Sequence, residues 1–129
     1  MNKSGEPDDT LVIMDDEEYA RYAKNDVILM PYSSQAQGFF TLAAKNGVES
    51  LSERHKAKYL NETNLKRLEV AKRISAECGL SPTAVGLNHL LRNEKVTAHP
   101  LIGGFNEELL IDSLRAIELP EKYFTELME

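Results

Sequence analysis

Residues 32–38 read YSSQAQG, which puts a flat aromatic ring, two serine hydroxyls, two primary amides and a glycine on one short stretch. Tyr32 offers a face on which a planar heterocycle can stack. Ser33, Ser34, Gln35 and Gln37 offer donors and acceptors around it, and Gly38 lets the backbone come close. A second stretch, GGFNEELLIDS over 103–113, places Gly103 and Gly104 just before a helix that Asn106 can cap. Backbone N–H groups at such a point, with the positive end of the helix dipole, favour an anion. A heterocycle at one stretch and a phosphate at the other would suit a nucleotide cofactor. Both have plainer readings: Tyr32 as a tyrosine closing a core strand, the glycine pair as a tight turn.

Other reactive residue types are scattered. His55, His89 and His99 stand apart, with no Cys or Asp at ligand spacing, so no metal site is expected. The one cysteine, Cys78, excludes an intrachain disulfide and falls on an apolar helical position, which reads as core.

Several elements must position the two polar stretches. The chain has 129 residues, 42% of them hydrophobic and 28% charged, the profile of one soluble globular domain. A net charge of −6 argues against nucleic acid, whose phosphates call for a concentrated basic surface. No apolar run approaches the ~20 residues of a membrane span, and MNKSGEPDD lacks a secretory core, so the expectation is a cytoplasmic protein with no membrane partner.

Residues 1–10 read as a loop, and acidic residues 15–18 open a short helix to Lys24. Val27–Tyr32 is apolar without alternation, which predicts a parallel strand covered on both faces, and Val96–Ile102 predicts a second. Residues 33–60 read as irregular or weakly helical. Leu65, Leu68, Ala71, Ile74 and Cys78 share a helical stripe that Gly79 stops, and Ser81 with Pro82 starts a helix over 82–93. Leu109, Leu110, Leu114 and Ile117 mark the helix after Asn106, and a last short helix carries Phe124 and Leu127. Two parallel strands alone make a poor sheet, so the pattern points to part of a larger α/β architecture.

The run AKRISAECGLSPTAVGLNHLLRN has the punctuation of a helix-turn-helix. Its second helix presents Ala84, Val85, Leu87, Leu90 and Leu91 where a DNA-reading helix needs polar and basic groups. DNA binding is the weakest of the three functional readings.

Three segments carry a family resemblance: PYSSQAQGFF, LEVAKRISAECGLSPTAVGLNHLL and VTAHPLIGGFNEELLIDSLRAI. In order and spacing, over residues 10–128, they resemble the C-terminal part of an aldo-keto reductase. The resemblance implies an α/β fold, the C-terminal portion of a (β/α)8 TIM barrel, with 27–32 as its seventh strand, 96–102 as its eighth and about five helices. Residues 1–129 would form one such incomplete barrel domain. It implies NADP or NAD as cofactor, with Tyr32 stacked on the nicotinamide and Ser33, Ser34, Gln35 and Gly38 along the pyrophosphate channel. Gly103 and Phe105 would hold the adenosine end.

Leu109, Asp112 and Ser113 stand at cofactor-binding positions where the family usually has Arg or Gln, Glu and Asn. Gly103 stands where some members have Lys. With these cations absent and Glu107 and Glu108 nearby, a 2′-phosphate would be repelled and a ribose hydroxyl accepted, which predicts a weakened NADP preference. The same two glutamates also simply complement the helix dipole.

The family's catalytic Asp, Tyr, Lys and His fall on strands ahead of this chain, so no catalytic residue is assigned. The expected function is a partial NAD(P)-dependent oxidoreductase that holds part of the cofactor site and is inactive alone. A small carbonyl or alcohol would be its substrate only with the missing N-terminal part, and Phe39 and Phe40 are placed to line that pocket. Exposed strand edges imply self-association. The alternative is a non-catalytic α/β interaction module.

Overall fold

The structure is a computed structural model and describes residues 14–128. The loop expected over residues 1–10 lies outside the described residues. Seven α-helices are described: α1 (Asp16–Lys24), α2 (Phe39–Asn46), α3 (Glu53–Tyr59), α4 (Glu62–Cys78), α5 (Pro82–Leu91), α6 (Glu107–Leu114) and α7 (Phe124–Met128), with short 3-10 turns between several of them. None of the described helices is long and apolar enough to cross a membrane.

Local chemistry accounts for the boundaries. Side chains of Asp15, Ser52, Asn61, Ser81 and Asn106 each accept from a backbone N–H in the first turn that follows, which satisfies a donor the helix leaves unpaired. Gly79 ends α4 at φ 74°, a left-handed conformation that a side chain disfavours. The segment read as irregular or weakly helical, 33–60, contains α2 and α3. α2 is two turns long and gives little periodic signal, yet it is anchored because Phe39 and Ala43 enter the core.

The core has two lobes that share α4. In one, Ala71 and Ile74 of α4 meet Ala84, Val85 and Leu87 of α5, closed by Leu80, Ala116, Leu119 and Tyr123. In the other, Leu68 of α4 meets Phe39, Ala43 and Leu51. α5 is the centre of the packing: its Asn88, 1% exposed, donates through Nδ2 to the carbonyls of Ala84 and Ala116. Burial without such partners would cost several kcal/mol at most and about 1–3 in ordinary mutational data. Phe39 is fully buried, edge-on to Phe40 at 5.2 Å between ring centroids, so it packs the core and does not line a pocket.

The expected fold class, two parallel strands of an incomplete barrel, is not what the described residues form. They are helical, and the segments 27–32 and 96–102 meet in a single parallel bridge, Leu29 to Ala98. The Leu29 amide donates to the Thr97 carbonyl at 2.9 Å, and the His99 amide donates to the Leu29 carbonyl at 2.8 Å. Leu101 N–H adds a bond to the Pro31 carbonyl at 3.0 Å. Extending the ladder would require residue 31 to donate back to His99, and a proline has no N–H. At the other end the Val27 amide points to the Tyr22 carbonyl of α1. Nor are the segments covered on both faces: Val27, Ile28, Met30 and Leu101 are exposed. An unbroken apolar run signals a preference for burial, and it cannot supply the neighbouring elements that burial needs.

Candidate cofactor-binding site

The bridge is parallel, so both segments leave it in the same direction, and the two polar stretches that follow emerge side by side. One side chain ties them. Gln35 donates through Nε2 to Ser113 Oγ at 2.6 Å and accepts through Oε1 from the Gly103 amide at 3.0 Å. Ser113 Oγ in turn donates to the Leu109 carbonyl at 2.9 Å. These contacts span 68 and 78 positions of sequence. They explain why Ser113, at 3% exposed, is the buried residue of α6, whereas Leu109, Leu110, Ile111 and Leu114 face outward. A buried hydroxyl is tolerated when its hydrogen-bonding capacity is used.

The 33–38 loop is wound tightly. Ser33, Ala36, Gln37 and Gly38 all have positive φ, between 48° and 79°. For the three that carry a side chain this conformation costs on the order of 1 kcal/mol each, so other contacts must hold it. Ser34 Oγ donates to the Pro31 carbonyl at 2.6 Å, the Ala36 amide to Ser33, and the Gly38 amide to Gln35. Gly38 is also the residue from which α2 starts.

The remaining candidates separate by exposure. Tyr32 is 54% exposed and Phe105 stands fully in solvent, so both rings present faces. Gly103 has open space around it, and its amide already serves Gln35. Gly104 is the close-approach glycine: a Cβ there would lie 3.0 Å from Leu109 Cβ and 3.3 Å from two backbone atoms of the α6 start. Asp112 accepts from Ser81 Oγ at 2.5 Å, which links α6 to the cap of α5. Glu107 and Glu108 are exposed in the first turn of α6. The described basic group nearest in sequence, Arg115, pairs with Glu118 at the far end of that helix.

The model of the aldo/keto reductase family matches residues 12–129. The chain belongs to the aldo/keto reductase family. No curated protein and no solved structure matches it. The family is one of oxidoreductases that generally use NAD(P)H, and the match spans both stretches tied by Gln35. No group of three His, Cys, Asp or Glu side chains is placed to hold a metal ion among the described residues.

All ten candidate residues expected from the sequence lie on these two stretches, and the structure bonds two of them, Gln35 and Ser113, to each other. Sequence reasoning missed His55, whose Nε2 meets the Gln37 carbonyl at 3.1 Å. His55 sits in the charged run SERHKAK, and nothing in that pattern signals a contact back to the loop.

Proposed function

We propose that this chain binds a nicotinamide dinucleotide across the 32–38 loop and the start of α6, as the cofactor-holding, C-terminal portion of an aldo/keto reductase. The observation that carries the reading is the Gln35 bridge, which brings together the two stretches that the family resemblance assigns to opposite ends of the cofactor. The exposed Tyr32 ring suits stacking on a nicotinamide, and the exposed Phe105 ring suits an adenine. The bound cofactor supplies a hydride to a small carbonyl, or takes one from an alcohol. The resemblance places no residue of this chain in the proton-donor role for that step, and the Tyr19 and Tyr123 hydroxyls are engaged by Asn93 and Glu77. Binding without turnover is therefore the expected behaviour of the chain by itself.

The α6 start fits a ribose hydroxyl better than a 2′-phosphate. Glu107 and Glu108 put two carboxylates in the first turn of α6, and Arg115, the described basic group nearest in sequence, is paired with Glu118. Titrating NADH and NADPH fluorescence with the purified chain should show saturable binding of both, with NADPH no tighter than NADH. A tenfold advantage for NADPH would remove the preference, and no binding of either would remove the cofactor reading.

A second reading has its own observation. The backbone groups of Ile28 and Met30 point away from the Ala98 bridge, and among the described residues they have no backbone partner. Val27, Ile28 and Met30 are exposed beside them. Two copies of the chain pairing through this edge would satisfy those groups. Sedimentation across a concentration series tests this, and a strict monomer at high micromolar concentration would refute it.

A further inference from the structure

We infer that His55 is a positioning residue of the cofactor loop: its ring clamps the Gln37 carbonyl and so keeps residues 33–38 in their left-handed winding. The inference rests on the reading of that loop as cofactor-binding, and it adds a residue from a different element to the same site.

The hydrogen-bond chain assigns the tautomer. A carbonyl only accepts, so Nε2 must carry the proton it donates to Gln37, at 3.1 Å. In the neutral ring Nδ1 is then bare, and Ser52 Oγ lies 2.7 Å away to donate to it. The same Ser52 oxygen accepts from the His55 backbone amide at 3.2 Å as the cap of α3. Both ring nitrogens and the hydroxyl are thus used, which fixes the ring about its own axis. Tyr59, one turn on in α3, lies beside the ring at 6.4 Å between centroids, and Tyr59 itself leans on the buried Phe39. The ring is therefore mounted on the smaller core lobe.

The loop needs such a holder at this end. Ala36 and Gln37 are consecutive residues with side chains at φ 48° and 54°, the most strained point of the stretch. Gln35 is tied to Gly103 and Ser113, and Ser34 to Pro31, but those bonds lie before the strained pair. After it, the Gln37 carbonyl is held by His55, across 18 positions of sequence. Without that clamp the Gln37 peptide is free to rotate into an unstrained conformation. The turn bonds from Ala36 to Ser33 and from Gly38 to Gln35 would open with it.

The test uses the full chain with His55→Ala, His55→Asn and His55→Gln. Gln carries an amide nitrogen at about the reach of Nε2, while Asn stops short of the carbonyl. Two readouts are taken: amide hydrogen exchange of the ligand-free chain, and NADH affinity by fluorescence. With Ala and Asn, exchange at Ala36 and Gly38 should quicken about fivefold, with α4 and α5 unchanged, and NADH should bind about fivefold more weakly. Gln should restore both. Unchanged exchange at Ala36 and Gly38 in Ala and Asn would overturn the inference. So would Gln behaving like Ala, since ring packing and not the hydrogen bond would then be the cause. If His55→Ala does not fold, the Asn and Gln variants carry the same comparison. If the wild-type chain binds no nucleotide, the cofactor reading fails, and the exchange measurement still decides the role of His55.

Discussion

α5 and α6 are close in length and both begin from a side-chain cap, yet they bury very different shares of their residues. α5 buries Ala84, Val85 and Leu87 against helices on several sides, together with Thr83 and Asn88. α6 buries Ser113 and turns Leu109, Leu110, Ile111 and Leu114 outward, followed by Ile117 at 72% exposed. One half of the molecule is therefore held by apolar packing. The part carrying the bridge and the two polar stretches exposes more apolar surface and leans on side-chain hydrogen bonds centred on Gln35. Val96, Ile102 and Ala36 give it apolar contacts with the core. Packing among many atoms is cooperative and tolerates little loss, whereas single hydrogen bonds each contribute about 1 kcal/mol net. Stability and ligand binding should thus be separable by mutation.

The largest expected effect is in the core. Ile74→Ala empties a fully buried position between α4 and α5 and should lower unfolding free energy by about 2–5 kcal/mol, read from urea denaturation. Gln35→Ala should do the reverse in kind. It cuts the ties to Gly103 and Ser113 and should weaken NADH binding about tenfold, while the urea midpoint moves little. If Gln35→Ala destabilises the chain as much as Ile74→Ala, the division into two halves is wrong.

The smallest effect concerns acid. The Glu77 carboxyl is held below its ordinary value, first by the hydrogen bond from the Tyr123 hydroxyl at 2.8 Å and then by Arg73. A depressed folded value means that its stabilisation is complete above the ordinary carboxylate range and is lost as pH falls through the folded value. Tyr123→Phe removes the main cause, so its melting temperature should fall less steeply than the wild type's below that range. Parallel pH–melting curves for the two chains would contradict this. The group is at the surface, so the difference should be small.

The punctuation of the helices was legible from local residues. Ser81 with Pro82 starts α5, Gly79 ends α4 and Asn106 caps α6, because each acts on backbone groups within a turn of itself. Of the expected stripe Leu65, Leu68, Ala71, Ile74 and Cys78, the helical period correctly put Leu68, Ala71 and Ile74 in the core. Leu65 is exposed and Cys78 only half-buried, because the core does not fully cover either end of that face. The strands were not. Val27–Tyr32 has the composition of a buried strand, but Pro31 removes the donor that a second rung requires, and the described residues place no third segment beside the pair. The contacts of the candidate site were legible only as a neighbourhood. Which groups of the two stretches bond to each other, and which stay free for a ligand, depends on how the stretches approach.

By itself the sequence determined the helix ends, the apolar stripe of α4, and the family to which the chain belongs, since all three reside in residue type and order. Only the tertiary structure decided that the two apolar segments touch at one bridge, that α6 turns its serine inward, and that Gln35 and His55 grip the 33–38 loop. Those outcomes rest on contacts between residues 18 to 78 positions apart, and the free energy of such a contact depends on distance in space, which no local pattern encodes.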